Sequence, residues 1–151
     1  MDVVNQFIEF SEEEPIEKPK PSQNLYITSQ VRHREKWIKL KDKYSILSTW
    51  IEKSSLNDYQ KEAPINRIRE KMVKEIEACE KFILYLEDAE DLLLKGIHFE
   101  FCQAMMLHKP IYIVYQNVKA SEVIDSIQNY IRYPNIILVK SFKQLKSKIL
   151  R

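Results

Sequence analysis

The chain has 151 residues, a formal net charge of +2, 44% hydrophobic and 30% charged residues, which bounds it to one domain with a single core. The near-neutral balance argues against a nucleic-acid polymer or a membrane surface as partner, and no apolar run exceeds strand length, so no membrane span is expected. Two cysteines, Cys79 and Cys102, fall in helix-like segments and read as reduced thiols of a cytoplasmic protein rather than a disulfide framework.

Residues 1–22 stand apart. Ser11 to Pro21 is charged and proline-rich, a composition that cannot bury enough surface to fold alone, and it predicts a flexible acidic tail ahead of a folded domain over 23–151. The short apolar piece Val3 to Phe10 reads as a frayed terminus, with docking on a partner or on the domain as the alternative.

From Asn24 strands and helices alternate. Leu25 to Thr28 is a short β-branched run, the first strand. His33 to Lys43 carries Trp37, Ile38 and Leu40 among charges and predicts a helix. Ser45 to Ile51 reads as the second strand, followed by a polar loop over Glu52 to Pro64. Ile65, Ile68, Met72, Ile76 and Cys79 recur at helical spacing. Lys81 to Leu86 is the third strand, Gly96 to Leu107 a helix, and Pro110 to Tyr115 the fourth strand. Ser121 is positioned to cap a helix holding Ile124, Ile127 and Ile131. Asn135 to Val139 is the fifth strand, and Ser141 caps a last helix with Phe142, Leu145 and Ile149.

Five strands separated by helices predict an α/β three-layer sandwich around a five-stranded parallel sheet. Right-handed crossovers make 2-1-3-4-5 the compact strand order, a flavodoxin-like or Rossmann-like arrangement. Ligands then bind outside the carboxyl ends of strands one and three, where the order reverses. Those ends are Ser29 to Arg32 and the segment Glu87 to Glu100.

The chain's one glycine, Gly96, lies in that second segment. Glu100 has Gly96 four residues before it and Ala104 four after, so the two smallest side chains flank it on one helix face. Room over a carboxylate with apolar neighbours Ile97, Phe99 and Phe101 suits a nucleophile or general base. Glu87, Asp88, Glu90 and Asp91 form an acidic loop, either solvated or contributing a second carboxylate. Arg32 follows Ser29 and Gln30 at a helix start, an arrangement that fits an anion, with solvated surface charge as the alternative for Arg32, His33 and Arg34. Two readings fit Trp50, which with Ser48 ends the second strand: it stacks on a base, or it closes the sheet edge. Tyr26 lies inside strand one, where its hydroxyl either reaches a catalytic carboxylate or ends at the rim of the core. The chain carries no P-loop, dinucleotide fingerprint, zinc-deaminase pattern or metal-ligand spacing, so neither cofactor nor metal is expected.

Ser29-Gln-Val-Arg32, Ser48-Thr-Trp-Ile51 and, most specifically, Lys95 to Val114 resemble the nucleoside 2-deoxyribosyltransferase-like family over Asn24 to Leu150. That family pattern is a glycine, a glutamate about four residues later, a small-residue helix, then Gly-Lys-Pro and a strand. It includes base-exchanging transferases and hydrolases of deoxynucleoside monophosphates. The resemblance implies that Glu100 attacks the anomeric carbon, that Tyr26 orients it, and that Asp88 or Asp91 contacts base or sugar. Ser29, Gln30, Arg32, Ser48, Trp50 and Gly96, at the strand ends described above, are expected around the substrate, and the resemblance also implies a homo-oligomer. The chain departs from the pattern at Ser29 and Gln30, where glycine is common, at His108 before Lys109-Pro110, and in the leucine-rich loop before Gly96. The expected activity is cleavage of the N-glycosidic bond of a deoxynucleoside or its 5′-monophosphate, with Arg32 favouring the monophosphate. The alternatives are a TIR-like NAD-cleaving enzyme, a non-catalytic nucleotide-binding sensor or sponge, and a protein-interaction domain using the acidic tail.

Overall fold

The computed structural model describes residues 8–9, 24–41, 43–52, 65–94, 97–128 and 135–149. Six strands are present among them: β1 (Ile8–Glu9), β2 (Asn24–Thr28), β3 (Ser45–Ile46), β4 (Lys81–Leu86), β5 (Ile111–Tyr115) and β6 (Ile136–Val139). The helices are α1 (Arg34–Lys41), α2 (Ile65–Ala78), α3 (His98–Met106), α4 (Ala120–Ser126) and α5 (Phe142–Gln144), the last continuing as a π-helical turn over Leu145–Ile149. The sheet runs β1-β6-β5-β4-β2-β3 with every pair parallel. The five predicted strands therefore stand in the predicted order 2-1-3-4-5.

The additional strand is β1, which pairs Ile8 with Ile137 and Glu9 with Leu138. Two residues of the segment read as a tail thus extend the sheet beyond the fifth predicted strand. The rest of that segment lies outside the described residues.

Burial on both sheet faces explains why β4 is a continuous apolar run rather than an alternating one. Phe82, Leu84 and Leu86 point to one side with Tyr26, Ile111, Ile113, Ile136 and Leu138, under Phe101 and Ala104 of α3 and Val123 of α4. Ile83 and Tyr85 point to the other with Leu25, Ile27, Val114 and Val139, under Trp37 and Leu40 of α1 and Leu145. The hydroxyls at the carboxyl end of β2 follow the same alternation, which sends Tyr26 and Thr28 toward α3.

The second strand is much shorter than expected. Ser45 and Ile46 pair with Asn24 and Leu25, the Leu47 N–H donates to the Leu25 carbonyl at 2.8 Å, and the chain then turns into a 3-10 helix at Thr49–Glu52. Side chains complete the ladder where the backbone leaves it. Ser48 Oγ accepts from the Ile27 N–H at 2.7 Å, and Trp50 Nε1 donates to the Ile27 carbonyl at 2.8 Å. Buried backbone groups must be paired, and here a hydroxyl and an indole replace two residues of strand.

Helix boundaries shift for local reasons. The helix expected from His33 is preceded by a 3-10 turn over Val31–His33. Ser121 lies inside α4, whose cap position is held by Lys119 and closed by Glu122 Oε1 accepting from the Lys119 N–H at 3.1 Å. Ser141 caps α5 as expected, accepting from the Gln144 N–H at 3.0 Å. His108, where the resembled pattern has glycine, has φ of 56°, the left-handed conformation that glycine takes most easily. Lys109 beside it donates from Nζ to the carbonyls of Glu77 and Cys79 at 2.6 and 2.9 Å, closing the carboxyl end of α2. No helix of the described residues is long and apolar enough to cross a membrane.

Candidate active site

The carboxyl ends of β2 and β4 lie side by side, with Thr28 opposite Leu84. On the α3 side of this junction the Tyr26 hydroxyl donates to Glu100 Oε2 at 2.9 Å. The Tyr26 ring is fully buried and stacks on Phe82, with centroids 5.5 Å apart and planes 5° apart, which fixes where the phenol points. Thr28, one alternation further along the strand, supplies a second side-chain hydrogen bond to Glu100.

Glu100 itself is only 6% exposed, in the first turn of α3. Burial pushes its carboxyl up to about 7. The hydroxyls of Thr28 and Tyr26 favour the ionised form and oppose that rise, while the nearby negative charge of Glu75 adds to it. A carboxyl balanced near neutrality, oriented by two hydroxyls at the sheet's switch point, can act as nucleophile or as acid and base. Ala104, one turn on and expected to leave room over the carboxylate, is fully buried in the core on the α3 side of the sheet. Gly96 lies outside the described residues.

A second polar group sits at the same end of the sheet on the other side of β4. Arg32 places one terminal nitrogen 2.8 Å from both Asp88 Oδ1 and Asp91 Oδ1. Asp91 is fully buried. Its Oδ2 lies 2.7 Å from His33 Nε2 and accepts from the Glu87 N–H at 2.8 Å. Glu87 in turn accepts from the Tyr85 hydroxyl at 3.0 Å and pairs with Lys36 at 3.3 Å. Asp88 caps the 3-10 turn Ala89–Leu93 by accepting from the Glu90 N–H at 3.1 Å. The guanidinium of Arg32 holds the Asp88 carboxyl below its usual range, and Asp88 raises Arg32 in return.

The predicted site residues therefore fall into separate groups. Tyr26 and Glu100 meet as expected. Arg32, Asp88 and Asp91 meet one another, tying the loop after β2 to the loop after β4. Ser29 accepts from Trp37 Nε1 at 2.8 Å and donates to the Gln30 carbonyl at 3.1 Å. Gln30 precedes the turn into α1, its carbonyl accepting from the His33 N–H at 3.0 Å. Ser48 and the buried Trp50 serve the edge of β2 through Ile27, so of the two readings of Trp50 the structure displays the edge closure. His33, one of the surface charges of the alternative reading, is 4% exposed.

Three contributors escaped the sequence reading. Thr28 carried a usable signal, since it shares the face of Tyr26 by strand periodicity. Glu87 was visible only as one loop acid among four. Glu75 carried none. It is a half-buried glutamate of α2 whose carboxylate accepts from Thr49 Oγ1 at 2.8 Å and from the Thr49 N–H at 3.2 and 3.3 Å. Burial raises its carboxyl above the usual range, against the opposing Thr49 bonds and the charges of Lys71 and Lys41.

No family model and no curated protein matches the chain. Among solved structures it is similar to the Clostridium botulinum CMP N-glycosidase BcmB, at a TM-score of 0.47 and 12% identity over 80% of this chain and 92% of that one. It is also similar to a 2-deoxyribosyltransferase from Bacillus psychrosaccharolyticus, at a TM-score of 0.44 and 17% identity over 68% of this chain and 81% of that one. These values describe a likeness of chain path, and residue roles here rest on this chain's own geometry.

Proposed function

We propose that the protein cleaves the N-glycosidic bond of a deoxynucleoside, with Glu100 as the nucleophile. The observation that carries this reading is the buried Glu100 carboxyl held by Tyr26 at 2.9 Å, at the point where strand order reverses and α/β sheets bind their ligands. The family resemblance of the Lys95 to Val114 segment supports the same role for both residues. Glu100 attacks C1′ as the C1′–N bond breaks and its electron pair leaves with the base. Water or a second base then attacks C1′ of the glycosyl ester and returns the Glu100 carboxylate, giving hydrolysis or base exchange.

The phosphate expected at Arg32 faces competition. The guanidinium is already bound to Asp88 and Asp91, and a 5′-phosphate would have to displace those carboxylates and approach their charge. This favours an unphosphorylated nucleoside over its monophosphate.

The test is chromatographic detection of free base from deoxynucleosides, their 5′-monophosphates and NAD, with wild type and Glu100→Gln side by side. Base release from a deoxynucleoside that falls about 1,000-fold or more in Glu100→Gln, with ligand binding retained, is the expected result. Nicotinamide release from NAD alone would move the reading to NAD cleavage. Binding without any product would make the domain a nucleotide sensor.

A further inference from the structure

Breaking an N-glycosidic bond by the route above leaves a base that needs a proton, and the loop acids are bound elsewhere. Asp88 and Asp91 are occupied by Arg32 and His33. A different carboxylate lies on the Glu100 side of the sheet. Ile27 sits between Tyr26 and Thr28, the two residues that hold Glu100. Its N–H and carbonyl are taken by Ser48 and Trp50, so Thr49, between those two, is pinned against the same strand. Thr49 in turn grips Glu75 through its hydroxyl at 2.8 Å and its backbone N–H. Helix α2, which carries Glu75, packs against both α3 and β2. Arg69 of α2 also lies over the ring of Phe99, the neighbour of Glu100, at 5.6 Å.

We propose that Glu75 is the second catalytic carboxylate of this site, the acid that protonates the departing base. The inference rests on the N-glycosidase reading. In the first step Glu100 forms the bond to C1′ while the C1′–N bond breaks, and the Glu75 proton passes to the base nitrogen. In the second, the Glu75 carboxylate takes a proton from the attacking water, the water oxygen bonds C1′, and the Glu100–C1′ bond breaks to regenerate both groups. Two coupled carboxyls hold one proton between them over a range of pH. Tyr26 and Thr28 favour the ionised form of Glu100, while Thr49, Lys71 and Lys41 favour the ionised form of Glu75, and the active form of the coupled pair is the one that carries its proton on Glu75. Lys71 of its own helix and Lys41 of α1 are the charged groups acting on Glu75, and Glu75 in turn acts on Glu100 of α3.

The experiment compares a deoxynucleoside that the wild-type protein cleaves with the N-methylated, cationic form of the same nucleoside, whose base departs without needing a proton. Glu75→Gln keeps the shape of the side chain and its bond from the Thr49 N–H. It should lose roughly 100- to 10,000-fold on the neutral base, stay within about tenfold of wild type on the cationic one, and lose the basic limb of the pH profile. Glu100→Gln should lose activity on both substrates. Thr49→Val removes a donor that favours the ionised Glu75, so its basic limb should move to higher pH, and this variant serves if Glu75→Gln does not fold. Equal losses on both substrates, no loss on either, or an unmoved limb in Thr49→Val would overturn the role of Glu75 and leave Glu100 standing. A wild-type protein that releases no base from any nucleoside or nucleotide would overturn the N-glycosidase reading and the acid role together.

Discussion

Glu100 shows how one residue couples chemistry to stability. Its folded carboxyl is raised from 4.5 to about 7. Below pH 4.5 folded and unfolded chains are both protonated there, and its stabilising contribution is complete. Between 4.5 and 7 the folded state keeps a proton that the unfolded state has released, so stability falls as pH rises. The loss levels off above pH 7 at about 3 kcal/mol. Thermal melts of wild type between pH 4.5 and 8 should therefore slope downward, and those of Glu100→Gln should slope less by that amount. Equal slopes would contradict the buried, near-neutral carboxyl. Tyr26→Phe removes a hydroxyl that favours the ionised form. Glu100 then titrates above pH 7, and the acidic limb of kcat/KM should move to higher pH in that variant, as a pH–rate profile will measure.

At the scale of elements, the short β3 is the main surprise. A run such as Ser45-Ile-Leu-Ser-Thr-Trp-Ile51 has strand composition throughout, yet only Ser45 and Ile46 pair as strand. Ser48 and Trp50 carry hydrogen-bonding side chains long enough to reach Ile27 from outside the ladder, and the backbone is released to turn toward Glu75. Ser48→Ala leaves the buried Ile27 N–H without its acceptor and should cost roughly 1–3 kcal/mol, read from the urea midpoint at unchanged m-value. A loss below about 0.5 kcal/mol would mean that this hydroxyl is not closing the sheet edge. The loop before α3 also turns at a left-handed residue. Leu94, with φ of 54° and nearly complete burial, adopts a conformation that costs a non-glycine residue about 1–2 kcal/mol. Its packing into the core keeps it there, and its carbonyl accepts from the N–H of Ile97, the residue before the helix of Glu100, at 3.3 Å.

Across the molecule, two polar groups flank the end of the central strand β4 and have different partners. The Glu100 group combines carboxyls with hydroxyls. The Asp91 group combines carboxylates with Arg32 and His33 and joins the loops after β2 and β4. Asp91 is fully buried, and Asp88 stands at the surface. Asp91→Asn turns an amide nitrogen toward donors and should destabilise the fold by about 3 kcal/mol, whereas Asp88→Asn should change the melting temperature little. Similar melts for the two variants would show that Asp91 is not the joint between the loops.

The sequence by itself determined the strand order and the strand ends at which it reverses, whereas it left two readings of the Tyr26 hydroxyl, between which only the family resemblance chose Glu100. Burial on both faces makes parallel strands legible as apolar runs, and right-handed crossovers leave one compact order for them. Strand alternation aims Tyr26 at α3. The same rule selects Thr28, which was legible in principle. Tertiary structure alone decided that Arg32 would meet Asp88 and Asp91, that Trp50 would close an edge, and that Thr49 would hold Glu75. Local periodicity reports which face a side chain occupies. Which polar groups meet across elements depends on loop paths and helix packing, and those are set by the whole core at once.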